Sequence, residues 1–127
     1  MQVKDVMRQT VITIEPAATI KEAIGKMMSE NITCLIVEER GSKNVYGIVT
    51  RKDIVNKVIA LDKNPVNVKV ADIMSEPILS VSSDITIEAA ARLMAKTDMR
   101  RFPVIEGGRL IGLISNSDIL RAAVGKK

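Results

Sequence analysis

The chain contains an internal repeat, and this limits its possible folds more than any other feature of the sequence. The stretch that begins at Val3 aligns without a gap with the stretch that begins at Val70. After two extra residues in the first copy, GIVTRKDI from Gly47 matches GLISNSDI from Gly112. A repeat of this length means that one structural unit occurs twice. The sequence therefore predicts a first copy at 1–60, a polar linker at 61–69 and a second copy at 70–125. Coinciding residue pairs include Val3/Val70, Asp5/Asp72, Met7/Met74, Thr19/Thr86, Ala23/Ala90, Met27/Met94 and Val37/Val104.

Each copy carries the same order of strands and helices. Apolar residues at three- and four-residue spacing after Ile20 and after Ile87 predict amphipathic helices, and Thr19 with Glu22 forms a capping-box pattern before the first. Short apolar runs predict strands on either side of these helices, and a second helix ends each copy. The fold class is therefore mixed α+β (α/β), a strand–helix–strand–strand–helix unit twice. Because each short copy has little core of its own, we expect the copies to pack sheet to sheet. The predicted strands are 11–14, 35–37 and 45–49, then 78–81, 102–105 and 110–114.

Composition argues against several classes of function. Tyr46 and Phe102 are the only aromatic residues, so no aromatic platform exists on which nucleic-acid bases could stack. The net charge is +4, but the basic residues are scattered rather than clustered. We therefore do not expect a nucleic-acid partner, although binding through the basic surface stays the alternative.

Cys34 is the only cysteine and the chain has no histidine. A disulfide framework and a transition-metal site are therefore not expected. The single cysteine has no histidine to act as its base, and no pair of carboxylates occurs outside the helix caps. Because general acid–base catalysis lacks suitable residues, we do not expect an enzyme. The start MQVKDVMRQT lacks the apolar stretch of a signal peptide, and no run is long enough to cross a bilayer. These features predict a cytoplasmic protein without a membrane partner.

Two segments could carry chemistry, each where a strand ends and a helix begins. In each, a hydroxyl residue precedes an aspartate by three positions: Thr50 before Asp53, and Ser115 before Asp118. This spacing is typical of a helix N-cap. Free N–H groups at a helix start can also bind an anion, and a neighbouring carboxylate can accept the hydroxyl groups of a ribose. The pattern thus supports a capping role and leaves ligand binding open.

With its repeat and its doubled Gly-h-h-[Thr/Ser]-x-x-Asp ending (h, apolar), the whole chain resembles a tandem pair of cystathionine-beta-synthase (CBS) domains, a Bateman module. The resemblance implies a pseudo-twofold arrangement with two clefts that bind adenosine ligands: AMP, ADP, ATP or, as a further candidate, S-adenosylmethionine. It implies a regulatory module that signals by a change in packing, needs no cofactor beyond the regulatory nucleotide, forms a homodimer and acts on a protein effector. The alternative is a structural dimerisation protein without a ligand.

When the family's site residues are transferred to the matching positions of this chain, the resemblance implies that each cleft contains residues from both copies. Arg101 occupies the place of a phosphate-binding basic residue, although it could equally be an ordinary surface arginine. Its counterpart is Cys34, so a phosphate in the second cleft would need Arg8, Arg51 or Lys52. The first cleft would comprise Thr13, Ile32, Arg101, Ser115, Ser117 and Asp118, and the second Thr50, Lys52, Asp53, Ser80 and Met99.

Several residues have structural interpretations that need no ligand. Cys34 is expected to be a small buried apolar residue. Gly47 and Gly112 are expected to permit close backbone approach rather than to form a phosphate loop. Four methionines are assigned to the core: Met27, Met28, Met94 and Met99.

Overall fold

The computed structural model describes residues 1–38, 46–76 and 78–125. The sequence predicts a turn at 38–44 between the strands at 35–37 and 45–49; its residues 39–44 and the first residue of the second strand lie outside the described residues. The elements in chain order are α1 (Val3–Val6), β1 (Thr13–Ile14), α2 (Ile20–Glu30), β2 (Cys34–Glu38), β3 (Tyr46–Thr50), α3 (Arg51–Ile54) continued by a π turn (Val55–Ile59), a 3-10 turn (Pro65–Asn67), α4 (Val70–Ile73), α5 (Ile87–Thr97), β4 (Arg101–Glu106), β5 (Arg109–Ser115) and α6 (Asn116–Gly125).

The chain forms two compact units whose limits differ from those of the sequence copies. The continuous unit spans Ile12–Ile78, and the discontinuous unit combines Met1–Val11 with Leu79–Lys127. The first residues of each copy thus fold with the body of the other copy. The predicted limits 1–60, 61–69 and 70–125 describe the repeat in the sequence, whereas residues 61–78 are part of the continuous unit. Val68, in the predicted linker, is a buried residue of that unit's core.

The continuous unit contains a three-stranded sheet in the order β1-β2-β3. β1 runs parallel to β2, and β2 pairs antiparallel with β3. The Thr19 hydroxyl accepts from the Glu22 N–H at 3.1 Å at the start of α2, which confirms the predicted capping box. Aliphatic residues from the strands and helices fill the core, among them Ile20, Leu35, Val37, Val49, Val58 and Val70.

The discontinuous unit is built on the antiparallel hairpin of β4 and β5. Gly107 and Gly108 form its turn with φ of 54° and 77°, a conformation that glycine adopts without steric cost. The predicted strand at 78–81 is wrong in extent, because only Val81 bridges β4, parallel to Val104. The run is divided between the units: the Ile78 N–H donates to the Tyr46 carbonyl within the continuous unit.

Two short helices, α1 and α4, were not expected from the sequence, and each begins a leading segment (residues 3–8 and 70–75). Arg8 and Leu113 exchange two backbone hydrogen bonds of 2.9 Å, so the first leading segment bridges β5. Ser75 and Ile48 do the same at β3. Val3 lies in the core of the discontinuous unit. Each unit therefore completes its core with the leading segment of the other copy, which agrees with the expectation that a copy has little core of its own.

Gly47 and Gly112 allow this close approach. A Cβ built on Gly112 would lie 2.8 Å from the Arg8 carbonyl oxygen and 2.6 Å from the Met7 sulfur. A Cβ on Gly47 would meet the Ser75 carbonyl oxygen at 3.1 Å. These distances confirm the structural interpretation of both glycines.

We expect Gly112→Ala to lower the free energy of unfolding by about 1–3 kcal/mol, because the methyl group overlaps a hydrogen-bonded carbonyl that cannot move freely. Gly47→Ala should cost less, since its contacts are longer. Gly25→Ala is the matched control: α2 leaves open space there, so the change should stabilise by about 0.5–1 kcal/mol. Urea unfolding measures all three variants. Equal stability of the Gly112 variant and the wild type would contradict the close approach.

Glu106, at the end of β4, fixes the loop that follows Val81. Its Oε1 accepts hydrogen bonds from the Ser83 hydroxyl at 2.7 Å, the Ser83 N–H at 2.7 Å and the Ser82 hydroxyl at 2.9 Å. These bonds, that from the Ser83 side chain foremost, hold the pKa of Glu106 below its ordinary value. The stabilisation is therefore present above the pKa of the unfolded chain and is lost as pH falls through the lower pKa of the folded protein.

Glu106→Gln should be less stable than the wild type at pH 7, and the difference should shrink as the wild-type carboxylate becomes protonated. The measurement is the free energy of unfolding in urea between pH 7 and pH 3. Glu88→Gln on α5 removes the same charge without the serine contacts and serves as the control. A difference that stays constant over this pH range would contradict the account.

Candidate functional site

The first candidate half-site lies at the junction of β3 and α3. The Asp53 Oδ2 accepts from the Thr50 N–H at 3.0 Å and from the Thr50 hydroxyl at 2.9 Å, and the Asp53 N–H donates back to that hydroxyl at 3.1 Å. This reciprocal capping box confirms the predicted cap. It leaves Oδ1 of Asp53 for another partner, and Lys57 Nζ lies 3.6 Å from it.

Lys57 connects two parts of the continuous unit. Besides facing Asp53, its ammonium group donates to the Ile73 carbonyl at 3.0 Å, at the carboxyl end of α4. The side chain of Asp53 is 20% exposed, so this acid still reaches solvent. Lys57 was not predicted as a site residue from the sequence. Its position four residues after Asp53 on a predicted helix would have indicated the ion pair.

The second candidate half-site repeats the cap at the junction of β5 and α6. Oδ2 of Asp118 accepts from the Ser115 N–H and from the Ser115 hydroxyl, both at 2.9 Å. The predicted cap is again confirmed. Asp118 is the only charged residue that is buried within the described part of the chain, with a side chain 3% exposed.

Two arginines cover the remaining oxygen of Asp118. The Arg121 guanidinium donates to Oδ1, and Arg8 Nε lies 3.8 Å from the same atom. Arg8, named from the sequence as a possible phosphate ligand for the cleft of Asp53, lies instead beside Asp118, because it belongs to the leading segment that bridges β5. Arg121 was also missed, and its spacing of three residues from Asp118 was the available signal.

The basic candidate at the start of β4 belongs to the same unit as Asp118. Arg101 pairs through its backbone with Ser115, and the Arg100 carbonyl accepts from the Asn116 N–H at 2.8 Å. The equivalent position in the continuous unit is Cys34, which pairs with Thr50 and is buried as expected.

The remaining candidates lie in both units, as the assignment of each cleft to residues from both copies implies. Ile32, assigned with Asp118, lies in the continuous unit with Asp53, and Met99, assigned with Asp53, lies in the discontinuous unit with Asp118. Thr13 is in the continuous unit and Ser80 in the discontinuous one; Lys52 and Ser117 are exposed at the starts of α3 and α6. Whether these residues contact a ligand stays a prediction.

The helices of the continuous unit border an open apolar pocket of about 510 Å³. Met28, predicted to be in the core, is instead 77% exposed at this pocket, whereas Met27 and Met94 are buried as expected. Met99 is partly buried against its unit's core. The pocket is lined by Ile24, Met27, Met28, Asn31, Ile32, Arg51, Ile54, Val55 and Ile59.

Among residues 1–38, 46–76 and 78–125, no helix is long and apolar enough to cross a membrane. The same residues include no group of three or more histidine, cysteine, aspartate or glutamate side chains placed to hold a metal ion.

Comparison with known families identifies the repeat. The CBS domain model matches the chain twice, at residues 3–60 and 70–125. The chain belongs to the CBS domain family. Among its relatives, protein MK0525 of Methanopyrus kandleri is 35% identical over 122 residues, which cover 95% of this chain and 62% of that protein. The CBS pair thus spans less than two thirds of that relative's length.

Solved structures of CBS proteins share this fold. A hexameric CBS-CP12 protein from bloom-forming cyanobacteria superposes with a TM-score of 0.89 at 43% identity, covering 94% of this chain and 69% of that one. The CBS domain pair of protein MJ0100, in complex with 5-methylthioadenosine and S-adenosyl-L-methionine, superposes with a TM-score of 0.86 at 29% identity, covering 100% and 98%. The mixed α+β CBS pair is therefore confirmed as the fold of this chain.

Proposed function

We propose that this CBS pair is a regulatory module that binds an adenosine nucleotide at its two capped helix starts. The observation that carries the proposal is the doubled constellation of a hydroxyl group, a carboxylate and nearby cations at each helix start. Thr50 and Asp53 stand beside Lys57, and Ser115 and Asp118 stand beside Arg8 and Arg121. The ligands of the MJ0100 pair, which has the same fold, also support adenosine as the common part of the ligand.

The chemistry of the constellation suits a nucleotide. A carboxylate accepts hydrogen bonds from ribose hydroxyls, and these bonds are stronger than those between neutral groups. Helix N-termini and guanidinium groups favour phosphate oxygens. Because both acids already cap their helices through Oδ2, the oxygen left for a ligand is Oδ1 in each half-site. The candidate contacts are the residues assigned to the two clefts from the sequence: Thr13, Ile32, Thr50, Lys52, Asp53, Ser80, Met99, Arg101, Ser115, Ser117 and Asp118.

Binding of AMP, ADP, ATP or S-adenosylmethionine should raise the melting temperature. A ligand at about 100 times its dissociation constant adds about 2.7 kcal/mol of stability, which corresponds to about 8–15 °C for a chain of this size. A thermal-shift panel with adenosine, NAD and GMP as comparison compounds is the measurement. A flat response to every adenosine compound would refute the proposal.

Matched variants then test the half-sites separately. Asp118→Asn and Asp53→Asn keep a capping oxygen but remove the charge, so each should weaken binding at its own half-site by about 10- to 100-fold while folding is preserved. Arg101→Gln should weaken AMP more than adenosine if it contacts phosphate. Wild-type affinity in both asparagine variants would refute the role of the acids.

We further propose that the module acts as a homodimer in the cytoplasm and regulates a protein effector by its ligand-dependent state. Exposed apolar side chains on the helices support the dimer. Val55 and Ile59 are 52% and 51% exposed on the π turn beside the 510 Å³ pocket. On α6, Leu120 and Val124 are 63% and 84% exposed. Exposed apolar surface of this kind is typical of interaction sites.

Light scattering should give the mass of a dimer for the wild type. Ile59→Asp together with Leu120→Asp should shift the protein to a monomer, because a carboxylate buried in an apolar interface without a partner is strongly unfavourable. Lys63→Asp, at an exposed site just beyond the π turn, is the control for added negative charge. A wild type that is monomeric at all concentrations would contradict this part of the proposal.

A further inference from the structure

The two half-sites differ in how their acids are covered. Oδ1 of Asp118 faces two guanidinium groups, and the side chain is 3% exposed. Oδ1 of Asp53 faces one ammonium group, and that side chain is 20% exposed. Although the caps are the same, the acid of the discontinuous unit is therefore withdrawn from solvent and the acid of the continuous unit is not.

The difference originates in two positions of the repeat. Arg8 corresponds to Ser75, and Arg121 corresponds to Asn56. The cations of the continuous unit stand elsewhere, with Arg51 and Lys52 exposed on the first turn of α3 at the places of Asn116 and Ser117. Two guanidinium groups beside one carboxylate give this cluster a net charge of about +1.

The covering groups are themselves close to water. The side chains of Arg8 and Arg121 are 58% and 63% exposed, so their ion pairs with Asp118 are weakened by solvent. Either guanidinium can therefore turn toward another anion at little cost to itself, provided that new hydrogen bonds replace its contact with the buried Asp118 carboxylate. A phosphate group is a suitable competitor, since its oxygens match the planar arginine fork and can be bound in a bidentate manner.

A neutral nucleoside meets a different situation at the same place. Its hydroxyl groups would have to compete with two cations for Oδ1 of Asp118 and would offer those cations no anion in return. A nucleotide offers a phosphate to the arginines and its ribose hydroxyls to the carboxylate that they release.

We propose that Arg8 and Arg121 make the Asp118 half-site selective for phosphate-bearing nucleotides over neutral nucleosides, by covering the carboxylate until a phosphate draws the guanidinium groups away. The inference rests on the proposed function and adds to it the residues that determine ligand charge. It also predicts discrimination against S-adenosylmethionine, whose sulfonium group would meet the same two cations.

The test is isothermal titration of AMP and of adenosine into the wild type, Arg8→Gln, Arg121→Gln and the double variant. The double variant should bind AMP about 10- to 100-fold more weakly, as expected for the loss of hydrogen bonds between charged groups. Its affinity for adenosine should be unchanged or higher, because the carboxylate is uncovered. Arg92→Gln, at an exposed position of α5, removes a charge from the same unit and should leave both affinities unchanged.

Arg8→Lys and Arg121→Lys separate charge from geometry. They retain the positive charge but lose the planar fork, so they should recover only part of the preference for AMP. Melting temperatures of all variants report whether the fold is intact.

The outcomes distinguish this inference from the function on which it rests. If the wild type binds neither compound, the proposed function fails and the selectivity fails with it. If the wild type binds but the double variant keeps the same ratio of AMP to adenosine affinity, or loses both affinities equally, only the role of the arginines is overturned.

Discussion

The close approach of each leading segment to the hairpin of the other copy is the contact on which the rest of this structure depends. At Gly112 the backbone of residues 7–8 comes so near that a single methyl group would overlap it, and at Gly47 residues 74–75 do nearly the same. Paired backbone hydrogen bonds then fasten Arg8 to Leu113 and Ser75 to Ile48. These hydrogen bonds join segments that are distant in the chain, so the leading segment of each copy is held in the unit that contains the body of the other copy.

The same contact places the cations of the candidate site. Arg8 reaches Asp118 because its backbone is held against β5, just before α6 begins. In the continuous unit the equivalent segment ends in Ser75, and the charge next to Asp53 comes from Lys57, which also holds the carboxyl end of α4. A leading segment therefore contributes to each half-site. One supplies the Arg8 guanidinium beside Asp118, and the other supplies the Ile73 carbonyl oxygen that accepts from Lys57.

Asp53 and Asp118, at the starts of α3 and α6, stabilise those helix starts even without a ligand. One oxygen of each is occupied by the capping residue, which satisfies donors that a helix start leaves without partners. The second oxygen of each acid faces a cation instead: Lys57 at Asp53, and Arg8 and Arg121 at Asp118. This arrangement makes the residues around the acid, rather than the acid itself, the source of any difference in ligand preference between the copies.

The sequence by itself determined the features that depend on local chemistry. The repeat and the helix caps at Thr19, Thr50 and Ser115 were predictable, because each depends on residues that are close in the chain or on a spacing that recurs. Only the tertiary structure showed that each leading segment packs into the unit of the other copy. It also showed that residues 78–81 are divided between the two units. The backbone contacts responsible join residues with no sequence pattern in common. For the same reason the pairing of Arg8 with Asp118 could not be inferred from the chain, since the attraction between two charges depends on their distance in space and not on their separation in sequence.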